Sequence, residues 1–163
     1  MTTTEFVPIA ARIDFDALVP AFSRAVSELD EAAIAEADQA GIDPALRELI
    51  RLRASQLNGC AYCVDMHARD ARKAGATPQR VDAVAIWHDA SLFTVAERAA
   101  LDFTEQVTLL AQTRVPEATV QAAIAAFGEK GTAALLSLVV AINTWNTIGV
   151  TTRCWRTSVR AHD

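Results

Sequence analysis

Four side chains that can do chemistry together, Glu48, Cys60, Cys63 and His67, fall in the twenty-residue segment ELIRLRASQLNGCAYCVDMH. The C-x-x-C spacing of Cys60 and Cys63 places two thiols one helical turn apart, close enough to form a disulfide without large backbone movement. His67 follows Cys63 by four residues, so a helix carries the imidazole to the same face as that sulfur. An imidazole there can accept a thiol proton and return one to a leaving oxygen. Glu48 precedes Cys60 by twelve residues. A chain reversal at Asn58-Gly59 would fold it back in an antiparallel helix pair, towards Cys60 or a bridging water.

The set is equipped for two-electron thiol redox chemistry. If a helix begins at Gly59 or Cys60, unpaired N–H groups and the positive end of the helix dipole favour a thiolate there. A free cysteine, with a pKa of about 8.5, is only a few per cent ionised at neutral pH. C-x-x-C cysteines at helix N-termini are commonly tuned to about 7. One thiolate attacks a peroxide oxygen to give a sulfenic acid, the second thiol condenses with it to a Cys60–Cys63 disulfide, and an external dithiol reduces that bond by exchange. Two other readings use the same residues. Cys60, Cys63, His67 and Glu48 could ligate zinc in a helical interaction module, although structural zinc sites usually draw ligands from two separated knuckles and no second cysteine or histidine pair exists here. Alternatively, the cysteines are incidental to a non-redox enzyme acting on a lactone or small acid.

The elements that must position this segment read as helices throughout, an all-α chain. Asp14 or Asp16 can cap a first helix, on which Leu18, Phe22, Val26 and Leu29 form an apolar face. Asp43-Pro44 is a start signal, and the helix it opens runs to about Leu57. Asn58-Gly59 is a stop, since both residues tolerate left-handed backbone. The next helix starts at or just before Cys60 and continues to Lys73, ended by Gly75. Thr77-Pro78 opens another, and Thr94-x-x-Glu97 is a capping box for a helix to about Leu110. A further helix starts at Val115-Pro116-Glu117 and ends at Gly128. The last, from Thr132, is apolar through Ile142 and reads as buried on most sides.

With 163 residues the chain is long enough for one domain with a real core, taken here as residues 1–163 with the motif region at about 15–110 and the C-terminal helices following. An apolar fraction of 52% against 21% charged leaves apolar surface to spare, which points to burial between subunits. A net charge of −5 argues against nucleic acid, which needs a basic face. No uninterrupted apolar window reaches the roughly 18 residues of a membrane span. The start MTTTEFVPIA has neither basic nor apolar signal regions, and three cysteines do not make a disulfide framework, so a reducing cytoplasm is expected.

The pattern Glu48 … Cys60-Ala61-Tyr62-Cys63 … His67, with Asn58-Gly59-Cys60 and Asp65-Met66-His67-Ala68 around it, resembles the AhpD-like alkylhydroperoxidases of the carboxymuconolactone decarboxylase superfamily. The likeness covers roughly residues 15–110, with an echo in 141–146. The resemblance implies a helical bundle assembling as trimers or hexamers, and a thiol-dependent peroxidase without a bound cofactor. It implies Cys63 as the peroxidatic cysteine, Cys60 as the resolving and proton-donating one, and Glu48 and His67 as the proton relay. The implied partners are a hydroperoxide and a lipoyl, thioredoxin-like or low-molecular-weight thiol reductant. The studied branch carries a second histidine between the cysteines, where this chain has Tyr62. The superfamily's lactone decarboxylases lack the dithiol.

Plainer roles are expected elsewhere. Cys154 packs as a small apolar residue, and His88 satisfies carbonyls at a helix end. Trp87, Trp145 and Trp155 anchor the core or a subunit interface. Asn143 and Asn146 need partners if buried, which a neighbouring subunit could provide. Arg153, Arg156 and Arg160 suit a helix end or a solvated face.

Overall fold

The structure is a computed structural model that describes residues 6–157. Asp14 caps the short helix α1 (Phe15–Leu18), and α2 (Pro20–Gln39) follows at once. Asp43 accepts the Leu46 N–H at 3.1 Å and Pro44 takes the first position of α3 (Pro44–Asn58). Gly59 then adopts φ +72°, a left-handed conformation that lets the Cys60 N–H bond back to the Ser55 carbonyl at 3.0 Å and turns the chain into α4 (Ala61–Lys73). Thr77 caps α5 (Pro78–Ala83), which tightens into a 3-10 turn at Val84–Asp89. The Thr94/Glu97 capping box forms in full and opens α6 (Val95–Thr108), followed by the single turn α7 (Leu110–Thr113).

The last helical run, α8, spans Glu117–Thr152. Two helices separated at Gly128 were expected, and the run is indeed two helical parts joined across a kink at Gly128, whose backbone is non-helical at φ +70° and ψ 172°. The Thr132 hydroxyl donates to the Gly128 carbonyl at 2.9 Å and so restarts the second part. By length and composition α8 could cross a membrane, yet half of its most apolar window is buried inside the fold. There is no strand among the described residues.

Helix α3 is the hub, packing on α4, α6 and α8. On one side Leu46 and Ile50 join Leu135, Leu138 and Val139 of α8; on the other Leu49 and Leu52 join Val81, Val84 and Trp87. The face expected on the first helix is divided. Val26 is buried with Ala33 and Ala37, whereas Leu18, Phe22 and Leu29 stand 70%, 56% and 41% exposed. Small alanines let α2 approach the core closely, so the larger residues face outward.

Candidate active site

The dithiol sits where the α3–α4 turn meets α8. Cys60 is the N-cap of α4, and its Sγ accepts the Cys63 N–H at 3.4 Å. That is the helix-start position expected from sequence, where unpaired N–H groups and the dipole stabilise negative charge on sulfur. Cys60 and Cys63 are joined as a disulfide with Cα atoms 5.3 Å apart. Both are buried, packed with Ala54 and Ile142 and flanked by Tyr62 and Trp145.

His67 lies on the same face of α4, 3% exposed. Its Nδ1 is 2.7 Å from Glu48 Oε2 on α3. Glu48 therefore meets the imidazole and not Cys60, because the crossing of α3 and α4 sets it about two turns further along α4 than the expected antiparallel register. With a carboxylate as acceptor Nδ1 carries the hydrogen, so Nε2 is the nitrogen with the lone pair in the neutral ring. That Nε2 is buried and has no hydrogen-bond partner. Glu48 Oε1 also lies 3.8 Å from Arg51 Nη1, so the helix-surface pairing with Arg51 coexists with the histidine contact.

A cavity of about 310 Å³ opens against this group. Its lining includes Cys63, His67 and Arg51 together with the rings of Tyr62, Trp145 and Trp155. Three of these were missed as site residues by sequence reasoning. Arg51 is 6% exposed and held by Asp30 Oδ1 at 3.0 Å, with its Nε unpartnered. Trp145 and Trp155 were expected as core or interface anchors; they meet edge to face and wall the cavity. The Trp155 indole N–H donates to Asp16 Oδ2 at 2.8 Å, which ties the two ends of the described chain together over the site. The only sequence signal for Arg51 was its spacing from Glu48.

Asn143 and Asn146 find their partners within the chain, not across an interface. Asn58 Nδ2 donates to Asn143 Oδ1 at 2.6 Å and to Asn146 Oδ1 at 3.0 Å, while Asn146 Nδ2 donates to Ser55 Oγ at 3.0 Å. This network fastens the turn before Cys60 to α8. His88 is half exposed, stacked on Trp87 and 3.3 Å from Glu105 Oε2. Burial pushes the Glu105 carboxyl up, but hydrogen bonds from Trp87 and Arg53, the Arg53 charge and the His88 contact outweigh it and leave the group below its ordinary value. Cys154 accepts the Thr152 hydroxyl proton at 3.1 Å, is half-buried and is not part of the disulfide. Arg160 lies outside the described residues. Among the described residues no group of three or more His, Cys, Asp or Glu side chains is placed to hold a metal ion.

A cysteine pair at a helix start, backed by a histidine–carboxylate pair on an all-helical scaffold, defines the class of protein. Residues 20–106 match the carboxymuconolactone decarboxylase family. The chain belongs to that family, in its AhpD-like part. Protein YdfG of Bacillus subtilis (strain 168), itself uncharacterised, is 38% identical over 112 residues, which are 69% of this chain and 76% of that one. The crystal structure of ATU0492 from Agrobacterium tumefaciens, a protein of unknown function put forward as the antioxidant defence protein AhpD, superposes with a TM-score of 0.85 at 31% identity. It covers 92% of this chain and 100% of its own. The debrominase Bmp8 shares the fold at a TM-score of 0.72 and 18% identity, over 83% of this chain and 70% of its own.

Proposed function

We propose that this protein is a cytoplasmic thiol-dependent peroxidase that reduces organic hydroperoxides through the Cys60–Cys63 pair. The observation that carries this reading is the His67 ring, whose unpartnered Nε2 is buried beside the cavity that Cys63 lines, while its Nδ1 is held by Glu48.

In the reduced protein the Cys63 thiol gives its proton to His67 Nε2. The Cys63 sulfur attacks the terminal peroxide oxygen, the O–O bond breaks, and the departing alkoxide takes the proton from His67 and leaves as an alcohol. Cys63 is then a sulfenic acid. Cys60, favoured as thiolate by its N-cap position, attacks Cys63 Sγ; the S–O bond breaks and hydroxide departs, becoming water with a proton from solvent, to form the disulfide seen here. Glu48 orients the imidazole and stabilises its charged form, the role of a carboxylate behind a catalytic histidine. Tyr62, Trp145, Trp155 and Ile142 give the cavity apolar walls suited to the organic part of the substrate. The exposed Leu18, Phe22 and Leu29 supply a face for self-association, in keeping with a homo-oligomer.

Turnover of an organic hydroperoxide with a thiol reductant in excess tests the reading. Saturable consumption that requires both cysteines supports it. Inert behaviour towards peroxide, with activity on a lactone that survives serine at both positions, would replace it with the non-redox reading.

A further inference from the structure

The two sulfurs of the disulfide line different cavities. Cys63 lines the 310 Å³ cavity with His67; Cys60 lines a second one of about 710 Å³, and neither cysteine lines both. Tyr62 and Trp155 border both spaces and stand between them. The second cavity also differs in character. The described residues around it include Arg12, Arg153 and Arg156 and no carboxylate, together with apolar surface from Val7, Ile9 and Val150. The first, by contrast, holds Asp16 and Asp30 beside its single arginine.

We propose that the reductant reaches the disulfide from the Cys60 side, through this second cavity, and is a low-molecular-weight thiol that carries a carboxylate. The inference rests on the dithiol reading above and adds the site and chemical class of its electron donor. Thiol–disulfide exchange is an in-line displacement, with the attacking, attacked and leaving sulfurs collinear. A thiol can strike Cys60 only from the side away from Cys63, and the cavity that Cys60 lines and Cys63 does not is the approach assigned to it. Gly149 keeps that side open. A Cβ there would sit 3.0 Å from Cys60 Sγ and 3.3 Å from the Trp155 ring. Attack at Cys60 also makes Cys63 the leaving sulfur, and His67 on its face can supply its proton.

The balance is complete with two thiols. The first thiolate forms a mixed disulfide with Cys60 as the Cys60–Cys63 bond breaks and Cys63 leaves with the electron pair. A second thiolate attacks the reductant's sulfur, releasing the external disulfide and the Cys60 thiolate. The cavity volume suits a small molecule. Three guanidinium groups facing no carboxylate among the lining residues select an anion, and since none of the three is buried, the attraction should weaken with salt.

The test uses the oxidised full-length protein and needs no peroxide. N-Acetylcysteine and N-acetylcysteine amide differ in charge, and any difference in their intrinsic reactivity cancels when each is compared between variant and wild type. The double variant Arg153→Gln/Arg156→Gln should slow reduction by the acid about tenfold more than reduction by the amide. Added salt should slow the acid selectively in the wild type, and rapid quenching should place the mixed disulfide on Cys60. Equal effects on both thiols, a mixed disulfide on Cys63, or reduction by a protein dithiol alone would overturn the proposal while leaving the redox pair intact. A disulfide that no thiol reduces would overturn the dithiol reading itself.

Discussion

Glu48 Oε2 and His67 Nδ1 are 2.7 Å apart, a contact between two helices whose partners are nineteen residues distant in the chain. The carboxylate fixes which imidazole nitrogen carries hydrogen, and so turns the buried Nε2 into a proton acceptor at the cavity. Replacing Glu48 by Gln removes the charge that stabilises an imidazolium. The rate of Cys63 oxidation by peroxide should fall between about tenfold and about a thousandfold, with a changed pH–rate profile. Stopped-flow measurement of single-turnover oxidation across pH checks this. An unaltered rate and profile would make Glu48 a partner of Arg51 alone.

The division of labour between the sulfurs can be read by mass. Cys60→Ser should still react once with peroxide and accumulate Cys63 sulfenic acid, a gain of about 16 Da that a dimedone-type trap captures. Cys63→Ser should show no such gain at Cys60. The reverse pattern would exchange the two roles.

Asn146 is 1% exposed, and its amide links Asn58 to Ser55. Asn146→Ala leaves buried polar partners unsatisfied, at a cost of about 1–3 kcal/mol. Urea unfolding should show a lower midpoint with an unchanged slope. A midpoint equal to that of wild type would mean that the turn before Cys60 does not depend on this network.

Glu105 has a depressed pKa, so its ionised form is bound more favourably in the folded chain than in the unfolded one. The stability it contributes is fully present above the unfolded carboxylate value of about 4.3 and is lost as pH falls through the lower folded value. Glu105→Gln should therefore be less stable than wild type at neutral pH, with the gap narrowing below about pH 4. Unfolding curves across the acid range check the sign. A gap independent of pH would assign the cost to packing instead.

Local chemistry was legible in the sequence wherever neighbouring residues settle it. Asp43-Pro44, Asn58-Gly59 and Thr94-x-x-Glu97 mark the helix boundaries that form, and the C-x-x-C pair lies at the helix start as its spacing implied. What depends on how helices cross was not. Periodicity identified a face on Leu18, Phe22 and Leu29 but not that small alanines, and not these, would meet the core. The same limit hid the Glu48–His67 contact, which needs the α3–α4 crossing, and the Asn143 and Asn146 partners, which come from a turn 85 and 88 positions away. Arg51 and Trp155 could not be recognised as cavity walls from sequence, because the cavity exists only where α1, α2, α3, α4, α8 and the segment after α8 meet. Gly128 was legible as an end because glycine at positive φ closes a helix locally, and the run is kinked there before helical backbone resumes.

The most direct test of the central claim is a thiol count with intact mass on the reduced protein, before and after one equivalent of an organic hydroperoxide. Loss of two thiols and about 2 Da is expected, mapped to a Cys60–Cys63 disulfide, with Cys154 still free. Two cysteines left reduced and an unchanged mass would contradict it.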